Sequence, residues 1–343
     1  MMLRLLSTCV LIFVISDLST ADARQTEPKS KASNKAATKP AAKSKAVPKV
    51  AEAPKPTFAD VPYGKHPRQV LDFYKADSPH PTPLVIFIHG GGWVAGDKGR
   101  VGSIDVKRLL REGISVASIN YRYTTIAQEA GIEPPVKAPL EDAARALQFL
   151  RSKAKEWNID KTRVGANGGS AGACTSLWLL YHDDMAKADS DDPVARESTR
   201  LTCAAVVGAQ TSLDPKQLRE WMPNMKYGGH AFGFRQPGQT GRDTEFQRFF
   251  ENREAVLAWI KEYSPYEHVS ANDPPVFLDY PSQDKPAKFG EPQKDPTHSA
   301  VLGMGLAKKV EEFGGVARLS YPGSPDPKYK NSTEFLIDHL KSR

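Results

Sequence analysis

A single serine hemmed in by small residues constrains this chain more than any other feature. In "RVGANGGSAGAC" (163–174), Ser170 sits between Gly168-Gly169 and Ala171-Gly172, which fits G-x-S-x-G. The residues ahead of it read as a strand with Val164 and Ala166 on one side, and "AGACTSLWLLYH" behind it lacks breakers and reads as a helix. A serine at a sharp strand-to-helix turn is held in a strained conformation. Only small side chains fit two residues to either side, because the two backbones nearly touch there. Glycine and serine also cluster in ordinary loops, so a second signal is needed.

"PLVIFIHGGGW" (83–93) supplies it. An apolar run, Leu84 to Ile88, ends in His89 and three glycines. This is the pattern of a buried parallel strand whose exit exposes backbone N–H groups. Such donors can stabilise an oxyanion in acyl transfer. No Gly-Lys-Ser/Thr follows the glycines, and they do not open a helix as G-x-G-x-x-G, which argues against a nucleotide site.

"HGGGW" about 80 residues before "GGSAG" resembles the α/β-hydrolase esterases and lipases, in particular the HGGG-bearing carboxylesterase and feruloyl-esterase-like group. The intervening order fits too: "INYRY" (119–123) after a strand, then "DAARALQFLRSKA" (142–154) as a helix. The resemblance covers about residues 58–343. It implies Ser170 as nucleophile and an oxyanion hole built from the N–H groups of Gly91, Gly92 and Ala171. It is less specific for substrate.

The coarse pattern agrees. Strands are predicted at 70–74, 84–88, 114–119, 163–167, 203–209, 275–280 and 317–321. Helices are predicted at 103–112 (capped by Ser103), 139–157, 171–182, 299–313 and 331–341, and Leu140, Ala143, Leu147, Leu150 and Ala154 share a face of the second. Alternating strands and helices imply a mostly parallel sheet covered on both faces. Residues 214–268 exceed a simple crossover and are expected to form a cap insertion over the site. Within it, Trp221, His230 and Phe232 are weak substrate candidates. Trp93, beside the glycines, and His230 are carried forward as substrate-binding positions.

The N-terminal region is of a different kind. Residues 1–23 carry Arg4, an apolar run and "ADA", the pattern of a cleaved secretory signal ending at Ala23. Its apolar run is too short to span a bilayer. Residues 24–56 are rich in Lys, Ala and Pro, with nine basic residues against Glu27 and Glu52. The whole chain is +7, so residues 57–343 are left near +1. The basic pI therefore belongs to the linker, which reads as a disordered tether able to touch anionic envelope polymers. A nearly neutral catalytic region argues against nucleic-acid binding. Export to the periplasm or beyond follows, with no transmembrane segment. Past the signal the cysteines are Cys174 and Cys203, whose spacing leaves pairing open; buried free thiols are the preferred reading. No Cys/His cluster has zinc spacing and no calcium loop is visible, so neither metal nor cofactor is expected.

A nucleophilic serine needs a histidine base and an orienting carboxylate, in the order Ser, Asp/Glu, His. In "PPVFLDYPSQDKP", Tyr280-Pro281 stand where the resembling family has His-Gly, and Asp284 falls on its acid position; Asp214 is the weaker substitute. The family's histidine follows the last strand, but here "SYPGSPDPKYKNSTEF" contains none, and His339 lies deep in a terminal helix. His298 is the replacement candidate. It follows Asp295-Pro296-Thr297 at a helix entry, on the strand-end face where the site of a parallel α/β sheet lies. A helix N-terminus also disfavours imidazolium, keeping such a ring able to accept a proton. Two functions are consistent with these residues. One is a secreted serine ester hydrolase acting on a small ester, carbohydrate esters included. The other is a protein of the same fold that has lost turnover and binds an ester, glycan or protein ligand.

Overall fold

The computed structural model describes residues 53–235, 241–284 and 286–341. The predicted signal and residues 24–52 of the predicted linker lie outside them. The strands are β1 (Phe58–Pro62), β2 (Val70–Tyr74), β3 (Thr82–Ile88), β4 (Ser115–Ile119), β5 (Ile159–Gly169), β6 (Cys203–Val207), β7 (Val276–Asp279) and β8 (Ala317–Ser320). They form one eight-stranded sheet in the order β1-β2-β4-β3-β5-β6-β7-β8. β1–β2 and β2–β4 pair antiparallel, and every other neighbour is parallel. The sequence pattern missed β1, whose residues are mostly exposed and which ends in a proline, as suits an edge strand.

All seven residues of β3 are buried, because both faces of the sheet are covered. Leu84, Ile86 and Ile88 join one core cluster, while Val85 and Phe87 join another on the opposite face. Cys174 belongs to the first cluster and Cys203 to the second, so the sheet separates them; both are free and buried.

The helices are α1 (Val106–Arg111), α2 (Thr124–Glu129), α3 (Lys137–Ser152), α4 (Ala154–Trp157), α5 (Ala171–Tyr181), α6 (Pro215–Trp221), α7 (Arg242–Glu251), α8 (Leu257–Tyr263), α9 (Pro265–His268), α10 (Ala300–Glu312) and α11 (Ser332–Lys341). The first begins later than predicted, because Asp105 rather than Ser103 caps it, accepting from Arg108 N. Every residue of α5 is buried, as expected of a helix apolar all round. Between β6 and β7 the chain runs through α6 to α9, which include the predicted insertion. No helix among the described residues is long and apolar enough to cross a membrane.

Register brings the strand ends together. Ile88 pairs with Gly168, Gly168 with Val206, and Val207 with Asp279. The C-terminal ends of β3, β5, β6 and β7 therefore form one edge, where open α/β sheets place their sites.

Candidate active site

Ser170 stands between β5 and α5 with φ 54° and ψ −122°, a conformation that costs an L-residue strain. Its amide donates to Val207 O at 2.9 Å. The surrounding glycines are required by close approach. A Cβ on Gly172 would meet Ile88 O at 2.0 Å, one on Gly168 would meet Gly172 C at 2.5 Å, and one on Gly90 would meet Gly169 O at 2.6 Å.

The loop after β3 turns on Gly91 (φ 114°) and Gly92 (φ 60°), and Val94 and Ala95 donate back to Gly91 O at 3.1 Å. Among the described residues, the N–H groups of Gly91 and Gly92 have no acceptor, and Ala171, opening α5, has no intrahelical one. Both glycines line a pocket of about 320 Å³ with Ser170 and His298. His89 braces this loop from behind: its Nδ1–H donates to Gly90 O at 2.8 Å, and its ring stacks on Tyr121 at 4.2 Å. Burial lowers the His89 pKa to about 4, so the ring is neutral near pH 7.

His298 ends a short 3₁₀ turn, Pro296–His298, just ahead of α10. Gln210 Nε2 donates to Thr297 O at 2.6 Å, and Gln283 Oε1 accepts from Ala300 N at 2.9 Å, fixing that turn from both sides. Gly208, at φ 58°, leaves room for the ring: a Cβ there would lie 3.4 Å from His298 Cδ2. His298 Nε2 is 2.9 Å from Ser170 Oγ, and Nδ1 is 2.7 Å from Asp295 Oδ2. A carboxylate can only accept, so the proton sits on Nδ1 and Nε2 is left to accept from the serine hydroxyl.

Several expectations need correction. Asp284 is not the carboxylate beside His298; it pairs with Lys294 Nζ at 3.1 Å. Asp295, three residues before the histidine in the same turn, reaches the ring locally. Asp295 belongs to the helix entry that carries His298, and its i, i+3 spacing from that histidine is the sequence signal for the contact. Trp93 does not line the pocket. Its ring is fully buried and its Nε1–H donates to Thr175 Oγ1 at 2.9 Å, so it backs His230 and Tyr227 instead, at 6.1 and 6.5 Å between rings. Trp221 and Phe232 are packing residues: Trp221 lies against Gly305 and Phe289, and Phe232 stacks on Phe249 at 5.1 Å. Asp214 caps α6 and pairs with Arg253 at 2.5 Å. His339 packs against Phe335 in α11 at 4.2 Å.

His230 does line the pocket. Its backbone N donates to Glu245 Oε1 at 2.7 Å, and its Nδ1 is 3.3 Å from the same oxygen. Burial pushes the Glu245 carboxyl up, but the hydrogen bonds and charge of His230 outweigh it and hold the pKa below the usual value. Glu245, Tyr227, Arg235 and Arg242 also line the pocket, and the sequence reading missed all four. Away from it, His182, Glu262 and His268 place ligand-type atoms within 4.8 Å of one another, the one metal-capable group of this kind among the described residues. They come from the ends of α5, α8 and α9, too scattered for any sequence spacing to reveal.

A mostly parallel sheet flanked by helices, with a strained serine at the β5–α5 turn and a glycine loop facing it, defines an α/β-hydrolase fold. The chain belongs to the BD-FAE family, whose model matches residues 71–290. It is 32% identical over 133 residues to "Probable isoprenylcysteine alpha-carbonyl methylesterase ICMEL1" of Oryza sativa subsp. japonica, covering 38% of this chain and 29% of that protein. It is 29% identical over 282 residues to "Gut esterase 1" of Caenorhabditis elegans, covering 78% of this chain and 46% of that one. The chain thus spans half or less of the length of these relatives. Among solved structures, the "Truncated form of carbohydrate esterase from gut microbiota" superposes with a TM-score of 0.60 at 18% identity, over 83% of this chain and 96% of that one.

Proposed function

We propose that the protein is an exported serine ester hydrolase working through an acyl-enzyme on Ser170. The observation that carries this reading is the chain Ser170 Oγ to His298 Nε2 at 2.9 Å and His298 Nδ1 to Asp295 at 2.7 Å. Ser170 Oγ attacks the ester carbonyl while His298 Nε2 takes its proton, and Asp295 holds the imidazolium that forms. The oxyanion is received by the amides of Gly91, Gly92 and Ala171, each worth about 10²–10³ in rate. His298 then returns the proton to the leaving alcohol, and water, deprotonated by the same nitrogen, hydrolyses the acyl-enzyme. Small esters are the substrate class, and the carbohydrate esterase among the structural neighbours makes esterified sugars the first set to try. The signal at 1–23, cleaved after Ala23, would deliver the enzyme to the envelope, with the basic linker available to contact anionic polymers. A ligand-binding protein without turnover is the second reading, motivated by the missing histidine after the last strand; the 2.9 Å approach of His298 Nε2 to Ser170 Oγ supports the hydrolase over it.

The test is labelling by a fluorophosphonate probe beside hydrolysis of short 4-nitrophenyl esters. Ser170→Ala abolishes labelling, and Ser170→Ala and His298→Ala each lower kcat by about 10⁴-fold or more. Asp295→Asn lowers it by about 10²–10⁴-fold, whereas Asp284→Asn stays within about twofold. Undiminished labelling in His298→Ala would refute the assignment of the base.

A further inference from the structure

The pocket beside Ser170 carries positive charge that hydrolysis of a neutral ester does not call for. Lys226, Arg235 and Arg242 line it with one carboxylate, Glu245. That carboxylate is engaged by His230 at 2.7 and 3.3 Å, and Lys226 is neutralised by Asp243 at 2.6 Å. Among the described residues, Arg235 and Arg242 have no carboxylate at ion-pair distance. Arg242 Cζ lies 5.9 Å from the centre of the Tyr227 ring, which places its guanidinium beside that side chain.

Two buried polar atoms point the same way. Among the described residues, Tyr227 Oη and His230 Nε2 have no hydrogen-bond partner, and Tyr227 is only 4% exposed. Both face the glycine loop: a Cβ on Gly92 would lie 3.7 Å from His230 Nε2 and 3.8 Å from Tyr227 Oη. Native proteins rarely leave such groups unsatisfied unless a ligand completes them. The hydroxyl is a donor, suited to an oxygen-rich anion. The guanidinium fork of arginine matches a planar carboxylate better than lysine does.

We propose that this wall is an anion subsite: the ester cleaved at Ser170 carries a carboxylate that seats between Arg235 and Arg242 and accepts from Tyr227 Oη. This rests on the ester-hydrolase reading and narrows its substrate to acidic esters. The carboxylate can belong to the acyl half, as in a dicarboxylate half-ester, or to the alcohol half, as in an esterified uronic acid.

Two substrate pairs separate these sources. One is 4-nitrophenyl hemiglutarate against 4-nitrophenyl valerate; the other is an acetylated methyl glucuronoside against the acetylated methyl glucoside. In at least one pair kcat/KM should favour the charged member by about tenfold or more, and the preference should shrink as salt rises. Arg242→Gln and Arg235→Gln should each pull that ratio toward one. Titration of Ser170→Ala with monomethyl glutarate and methyl valerate, and with the two glycosides, reads the same preference without turnover. Neutral members favoured in both pairs, or ratios untouched by either arginine change, overturn the subsite while leaving the esterase intact. Charged ligands bound tenfold tighter by Ser170→Ala, with no ester turned over by the unsubstituted protein, would keep the subsite and sink the hydrolase reading.

Discussion

Asp279, the last residue of β7, shows at the scale of one residue what the strand-end edge costs. Burial raises its carboxyl pKa to about 6, and among the described residues that carboxylate has no hydrogen-bond or ion-pair partner, although the backbone carbonyl accepts from Gly208 N. It lines a second cavity of about 380 Å³ with Asn167, Arg108 and Ser332. Because the folded-state pKa is raised, ionisation opposes folding. The penalty is absent below about pH 4, grows between about 4 and 6, and is complete above that. A shift of about two units corresponds to at most about 3 kcal/mol. We therefore expect Asp279→Asn to raise the melting temperature at pH 8 and to leave it unchanged at pH 4; equal effects at both would mean that ionisation is not the cause. Residues differ in how far their sequence neighbours reveal them. Ser170 was legible because its strain demands small side chains next to it in the chain. His298 was legible only through the topology of helix entries, and Asp295 was passed over for Asp284, since which carboxylate meets a ring depends on the path of a loop. Tyr227, Glu245 and the two arginines carry no local signature, because they reach the pocket only through the path of the chain between β6 and β7.

At the scale of elements, the glycine loop after β3 is held by the segment after β4. Tyr121 Oη donates to His89 O at 2.8 Å and Tyr123 Oη to Gly96 O at 2.5 Å. That segment is in turn tied to α3 through Asp142, which is 1% exposed. Its carboxylate accepts from Arg122 N at 2.8 Å, Arg122 Nη2 at 2.7 Å and Gln69 Nε2 at 2.7 Å. Removing one side of a buried charged network strands the other, at a typical cost of about 3–5 kcal/mol. Asp142→Ala should lose stability of that order in urea unfolding, and, on the proposed mechanism, lower kcat because the glycine loop after β3 loses its brace. A loss below about 1 kcal/mol would show that the network adds nothing beyond packing. The strand and helix pattern made β2 to β8 and the helices α1, α3, α5, α10 and α11 readable, but not α7 in the insertion between β6 and β7. It missed β1, an exposed edge strand whose partner rather than whose hydrophobicity defines it.

At the scale of the whole molecule, charge and core are kept apart along the chain. Residues 24–56 hold nearly all of the net charge and almost no large apolar side chain. The described chain is already anchored at its start: Ala53 packs against a core cluster, and Thr57 N donates to Phe73 O at 2.7 Å as β1 begins. These contacts carry the packed unit beyond the expected Thr57 to at least Ala53. A protein beginning at Ala53 should keep its melting temperature within about 2 °C and its kcat/KM on neutral esters within about twofold. It should lose binding to an anionic polymer such as heparin, which the chain beginning at Arg24 should show at low salt and release as salt rises. A melting point lowered by many degrees would mean that the linker is docked on the folded unit. Equal heparin binding by both chains would place the contact on Arg235, Arg242 and their neighbours rather than on the linker.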